Sequence, residues 1–571
     1  MAIFSRYKPG ILSTKMKNSL IRILVTIVII FAINAISKNN FHRFDLTAEK
    51  RYTLGPATLR MIENLDDFVY FKVYLDGNLP PGLKRFRNQI REMLDEFAAH
   101  SKNIVYDFIN PLQAPDRDGL MDMLAKSGIQ PTQVQRKASD ATSRQVVFPG
   151  ALVTYRNMEV GVNLLVSQGV MQHHEDVLNN SVQALEYNLA TTIRQLTEEK
   201  RKAIGFVEGQ GELSNLQMAG IADNISKFYD ISRVVIDNNI EEVLKFQTLV
   251  IAKPNSPFSE RQKFIIDQFI MSGGKLLWLV DPVFASMDSL RPPATQTLGM
   301  PNLVNLDDML FRYGVRLNSI LVKDMRSVAI PMITGMIGDK PNYSLVPWPF
   351  FPLLDAASEH EIVKNINLTA GEFTSTIDTV LADGVVKIPL LETSPYTRLL
   401  PTPTAISFDF LKEPINERLY NNGEQVVAYL LKGNFESVFR SRQNPGVQLP
   451  ANFEKLNRSV ETAMIVVADG DLIKNGVDSR GVPLPLGFDP NTRTTYGNLD
   501  FIINSLNYLT DDSGILQTRA KDWRIRLLDR ARANQGKTAI QLSNTMVPIF
   551  AILVFGLIRF WWRRKRYGAK G

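Results

Sequence analysis

The sequence predicts an α/β protein: a large extracytoplasmic region of two or more α/β domains between two terminal transmembrane helices. Three patterns carry that expectation. Short apolar runs alternate with helical periodicity through the middle of the chain, as strands and their covering helices do. An apolar stretch stands near each end, Leu20–Ile36 and Met546–Trp562. Lys and Arg crowd the outer side of both stretches, and neither tail carries Asp or Glu.

Taken in chain order, a basic tail (1–19) leads into the first span (20–36), with Arg6, Lys8, Lys15, Lys17 and Arg22 before or within it. Each span of 17 residues makes roughly 25 Å of helix, slightly short for a hydrocarbon core of about 30 Å. The positive-inside bias puts both ends in the cytoplasm of an inner-membrane protein and the body in the periplasm. A cleaved leader, with Ala35-Ile-Ser37 as its small-x-small site, is the competing reading of the first stretch.

A first extracytoplasmic domain (37–180) begins with a strand at Val69–Leu75. After a turn at Pro80-Pro81-Gly82, the residues Leu83, Phe86, Ile90, Leu94 and Phe97 line one face of a helix. Strands at 104–109, 146–155 and 160–166 follow, and Val182, Leu185, Leu189, Ile193 and Leu196 mark a long linking helix.

The second domain (181–510) reads as a doubly wound, mostly parallel sheet. Its strands include Ala203–Val207, Thr248–Ala252, Lys275–Val280 and Ala463–Val467. Ser259-Glu-Arg-Gln starts a helix that Gly273-Gly274 ends. Between 326 and 461 the pattern loosens into an inserted lobe. A juxtamembrane connector (511–544) reaches the second span (545–562) and a basic tail (563–571). Arg559, Arg563, Arg564, Lys565, Arg566 and Lys570 close this end and oppose the competing reading, a buried core helix.

A pI of 9.2 invites a nucleic-acid reading that charge placement removes. Without the eleven Lys and Arg of the two ends, 54 Lys and Arg face 58 Asp and Glu, so the basicity belongs to topology. Cysteine is absent, which excludes disulfides, thiolate ligands and cysteine nucleophiles.

Candidate sites are few. Ala531-Arg-Ala-Asn-Gln-Gly-Lys-Thr538 ends like a phosphate-binding loop, but it lacks the first glycine and a preceding apolar strand. No nucleotide hydrolysis is expected of it. His173-His174-Glu175 reads as solvated, and the remaining histidines (His42, His100, His360) are scattered. Glu208, Asp281 and Asp469 each follow a strand and should fall at the carboxyl edge of the sheet, where open α/β folds bind ligands. They form the candidate ligand crevice, with helix capping as the alternative. Pro347-Trp-Pro-Phe-Phe-Pro352 reads as a rigid aromatic loop. Its Trp348, Phe350 and Phe351 either pack on their own domain or anchor a partner. On the second span, Ala551 and Gly556 permit close approach of another helix. No catalytic residue, cofactor or metal site is expected.

Several stretches together resemble the GldG family, the auxiliary or substrate-binding, non-ATPase membrane subunit of an ABC transporter linked to gliding motility. They are Leu46–Leu54, Phe71–Gly77, Glu208–Glu212, Ile266–Lys275, Leu306–Leu310 with Tyr313-Gly-Val315, Leu431–Phe439 and Asn498–Asn507. Their order and spacing carry the resemblance, not any one motif. It implies a polytopic permease (GldF-like) and a cytoplasmic ATPase (GldA-like) as partners, beside the lipid bilayer. The second domain is also similar in pattern to amidotransferase-like folds. Their chemistry needs a cysteine nucleophile, so that likeness reaches fold and not activity. The alternative function is an extracytoplasmic enzyme or carbohydrate-binding protein using the strand-end acids.

Overall fold

The computed structural model describes residues 21–31, 53–129, 131–138, 141–165, 174–198, 200–237, 239–290, 296–337, 340–408, 416–450, 453–511, 515 and 536–567. The chain divides into two compact units, Met1–Thr53 and Leu54–Gly571. In the first, helix α1 (Ile21–Phe31) is apolar and exposed along its described length. Its 11 residues rise roughly 16 Å, too short by themselves to cross a bilayer. Ala35–Ser37, His42, His173 and residues 516–535 lie outside the described residues.

The second unit opens with α2 (Pro56–Glu63), β1 (Val69–Val73), α3 (Pro81–His100) and β2 (Ile104–Phe108). β3 (Gly150–Tyr155) and β4 (Met158–Asn163) complete a four-stranded sheet in the order β2-β1-β3-β4. Leu83, Phe86, Ile90, Leu94 and Phe97 of α3 are buried, as their 3–4 spacing predicts. α4 (His174–Thr197) is the long helix anticipated from Val182 to Leu196, and it begins seven residues before position 181.

A ten-stranded sheet follows. β5 (Lys202–Glu208), β6 (Tyr229–Val235), β7 (Thr248–Ala252) and β8 (Lys275–Leu279) are its early strands. α5 (Ala219–Ile225), α6 (Glu260–Met271) and α7 (Asp307–Tyr313) are its helices on the way. Ser259 and Gln262 form the reciprocal cap that starts α6, and Gly273 takes φ 94° just past its end. β9 (Ser327–Ile337), β10 (Lys340–Ala356), β11 (Val385–Glu392), β12 (Val426–Gly433) and β13 (Thr462–Val467) complete the main path. The order is β9-β10-β11-β12-β13-β8-β7-β5-β6, with Thr369–Ala370 paired to β10.

Two expectations need correction here. The sheet is parallel only from β13 through β6; β9 to β12 pair antiparallel. The loose region 326–461 therefore continues the sheet as well as supplying loops. Its alternating, half-exposed strands look irregular because only the central strands are covered on both faces. Likewise Pro347–Pro352 lies within strand β10 and is no loop. Proline's fixed φ suits extended chain, and the register slips opposite this stretch, between Ser327 and Ala329, so the missing N–H groups are tolerated.

Alternate residues of the central strands feed two cores. Phe206, Val250, Leu277, Ile465 and Val467 meet α5 and α8 (Asn498–Thr510) on one face. Val207, Leu249, Ile251, Trp278 and Val466 meet α6 and α7 on the other. The first core is continuous with that of the four-stranded sheet through Leu185, Leu189 and Ile193 of α4. The last helix, α9 (Lys537–Tyr567), has 31 residues and rises roughly 46 Å. It absorbs the end of the anticipated connector and most of the basic tail, since Arg and Lys are good helix formers.

Candidate functional site at the carboxyl edge of the sheet

Three neighbouring parallel strands each deliver a charged residue just past their carboxyl ends. β7 is followed by Lys253, β8 by Val280-Asp281, and β13 by Ala468-Asp469. Because β7, β8 and β13 are adjacent, these side chains converge as the edge rule predicts. Asp281 is buried, and Asp469 and Asp471 are buried beside it, with one oxygen of each carboxylate within 4.8 Å of the others.

The Lys253 ammonium sits among these acids. It lies 3.0 Å from Asp281 Oδ2 and donates to Asp471 Oδ2. Its backbone takes a left-handed φ of 57°, unusual for a side chain of this size. Lys474 adds a second ammonium, 2.8 Å from Asp471 Oδ1 and 3.3 Å from Glu372. Asp469 accepts from Asp471 N at 2.9 Å, Glu372 N at 2.9 Å and the Thr374 hydroxyl at 2.6 Å. Gly470 N donates to Asp281, and a Cβ on Gly470 would stand 2.7 Å from Cβ of Lys253.

The charges are arranged to balance. Burial works against the Lys253 charge, yet Asp281 and Asp471 outweigh it and hold the ammonium above its ordinary value. Asp471 is likewise buried, but Lys253 and Lys474 pull its carboxyl below the usual range. Burial pushes Asp281 up, with Lys253 opposing. Asp469 is driven well up by burial and by the neighbouring charges of Asp281 and Asp471. A metal ion held by the three aspartates would have to displace Lys253, which already supplies the positive charge there. The arrangement ties three strand ends to the 371–374 segment as an internal ion network.

Of the three acids expected to share this edge, Asp281 and Asp469 meet. Glu208 does not join them: β7 stands between β5 and β8, roughly 10 Å from one to the other, and Glu208 faces Arg233 at 3.8 Å. Lys253, Glu372, Asp471 and Lys474 went unnoticed in the sequence. Lys253 was findable, because it follows the apolar strand Thr248–Ala252 by the same logic that selected the acids.

The aromatic candidates are placed otherwise than at a surface. Trp348 and Phe350 are fully buried and Phe351 nearly so, within a cluster that includes Phe373. Trp348 lies 5.3 Å from Phe350 and 5.1 Å from Phe408, ring to ring. Packing on their own domain is therefore what the fold gives these rings, and the partner-anchor expectation is corrected accordingly. Ala551 and Gly556, by contrast, stand exposed on α9, and a Cβ on Gly556 meets nothing within 4 Å. His174 opens α4, His100 faces Glu96 at 3.5 Å, and His360 meets the Tyr508 ring edge-on. Lys537 of the phosphate-loop-like stretch begins α9, and residues 531–535 lie outside the described ones.

α9 is the other functional feature. Lys537–Arg566 has a mean hydropathy of 1.8 over its most apolar window, none of which is buried, and is the one helix among the described residues long and apolar enough to cross a bilayer. That fits membrane association.

Among curated proteins none matches the chain. The N-terminal domain of mmIFT52 is 12% identical and covers 55% of this chain and 99% of its own, with a TM-score of 0.31 that bears on nothing further. Residues 48–154 match a domain of unknown function, DUF7088. Residues 201–505 match the family described as "ABC-type uncharacterized transport system" (ABC_transp_aux). That match takes in more than half of the chain, including the strand ends that bear Lys253, Asp281 and Asp469, and the chain belongs to this ABC transport auxiliary family.

Proposed function

We propose that the protein is a non-catalytic, membrane-anchored auxiliary subunit of an ABC transport complex associated with gliding motility. Its α/β body stands on the periplasmic side of the inner membrane and binds or gates for a separate permease. A GldF-like permease provides the path, and a GldA-like ATPase in the cytoplasm hydrolyses ATP. The observation that carries this reading is α9, an apolar helix with none of its most apolar window buried and with Arg563-Arg-Lys-Arg566 near its end, on a chain of this family. Leaving so much contiguous apolar surface in water is unfavourable, which supports a cover of lipid or of a membrane partner. The strand-end acids lend the enzyme or sugar-binding alternative little, since Lys253 pairs Asp281, Arg233 faces Glu208, and Asp469 is buried and held by Thr374 and backbone N–H groups.

The test is affinity purification of the tagged chain from native membranes in mild detergent. Copurification of a polytopic permease and an ATPase is expected. Recovery of the chain without either, under conditions that keep other ABC complexes together, overturns the assignment.

A further inference from the structure

α4 holds the α/β body at both places where it joins the rest of the chain. At the start of the body, Glu186 Oε1 accepts from Gly55 N at 2.5 Å and from the Thr58 hydroxyl at 2.9 Å, all buried. At its end, Asn507 of α8 donates to Tyr187 Oη at 2.9 Å. About two turns further along α4, Arg194 meets Asp511, the residue that closes α8, at 2.7 Å; their side chains are 12% and 5% exposed.

Helix geometry makes this division of labour regular. Consecutive residues point about 100° apart, so Glu186 and Tyr187 serve different neighbours. Seven residues bring the direction back to within about 20°, so Tyr187 and Arg194 share the face toward α8. Glu186 to Arg194 is nine residues, roughly 12 Å of helix. The same helix packs on α3 and β3 through the continuous core. Releasing these partners would cost a buried carboxylate two hydrogen bonds and split a nearly buried ion pair, so both chain segments are held to α4.

We propose that α4 is a transmission bar: a displacement of the chain at either end of the body passes through α4 to the other end and to both sheets. Its use in transport rests on the auxiliary-subunit reading, whereas the mechanical coupling does not.

Segment-resolved hydrogen exchange on the full chain in mild detergent tests the coupling. Glu186→Ala and Arg194→Met should each raise amide exchange about fivefold or more in both 55–62 and 503–510. Asp267→Asn, in a buried network on α6 with Tyr313 and Ser437, should leave both segments unchanged. If each α4 variant loosens only the segment it touches, or if Asp267→Asn loosens both ends equally, the proposal is overturned. Should Glu186→Ala fail to fold, Thr58→Val removes a single hydrogen bond and must give the same two-ended pattern at smaller amplitude. Failure to copurify a permease would sink the transport assignment and leave this result standing.

Discussion

Lys253 holds its ammonium 3.0 Å from the Asp281 carboxylate and bonds Asp471 as well, in the place among three buried aspartates that a cation would take. The relationship depends on two adjacent strands ending together, and it explains why so acidic a strand edge is stable.

Replacing Lys253 by Met should be severe. Asp281 is left buried without its cation and Asp471 keeps only Lys474, and breaking such a pair from one side costs about 3–5 kcal/mol. Urea unfolding of the α/β body followed by Trp fluorescence measures it. The pH dependence has a definite sign. Burial already raises Asp281 above the ordinary range while Lys253 opposes the rise, so without Lys253 it climbs further. An acid with a raised folded value is relieved as pH falls through that value, so the variant should gain stability relative to wild type as pH falls toward the ordinary carboxylate range.

Gly470→Ala should displace Lys253 without removing charge. The added Cβ would lie 2.7–3.0 Å from the lysine's Cβ, Cγ and Cα. A loss of about 1–3 kcal/mol is expected, as for other overpacked sites. A stability within error of wild type would show that the strand edge is looser than its contacts imply.

Acid should act through α6 and α7. Burial opposes the charge on Asp308, but hydrogen bonds from Lys263 and Arg442 outweigh it and hold the carboxyl below its usual value. Lys263 is itself buried, 2.7 Å away. A depressed carboxylate contributes stability that is present above pH ~3.9 and lost as pH falls through the folded value. Asp308→Asn should cost about 1 kcal/mol at pH ~6 after allowance for partial exposure, and should shrink the acid-side loss. Unfolding curves collected down to pH ~2.5 for both proteins make the comparison.

The Trp348 cluster separates packing from partner binding. Trp348→Ala empties a fully buried site and should cost about 3–5 kcal/mol in the isolated protein. A variant that keeps wild-type stability but loses the permease would restore the interface reading. On α9 the logic reverses. Gly556→Leu with Ala551→Leu adds bulk where the chain itself offers no contact, so folding should be unchanged while permease recovery falls.

Topology is testable because the chain has no cysteine. A Cys introduced at Asp288 should react with membrane-impermeant thiol reagent in intact cells, and one at Ala569 should not. Labelling of both would contradict cytoplasmic ends flanking a periplasmic body.

Local pattern by itself determined the parts whose physics is local. The period of Leu83, Phe86, Ile90, Leu94 and Phe97 marked α3, Ser259 and Gln262 marked the start of α6, and the run before Arg563 marked the membrane-length helix. Strand ends at Asp281 and Asp469 were legible for the same reason: an apolar run stops where the backbone leaves the core. Partnership between those ends was not legible, because strand order arises from pairings far apart in the chain. Only the tertiary structure decided that β7, β8 and β13 lie side by side, which brings Lys253 to Asp281 and leaves Glu208 with Arg233. It also decided that β9 to β12 extend the sheet, that Trp348 is buried, and that Glu186 and Arg194 grip the two ends of the body. Hydrophobic periodicity records which face of an element is covered; it carries no information about which distant element does the covering.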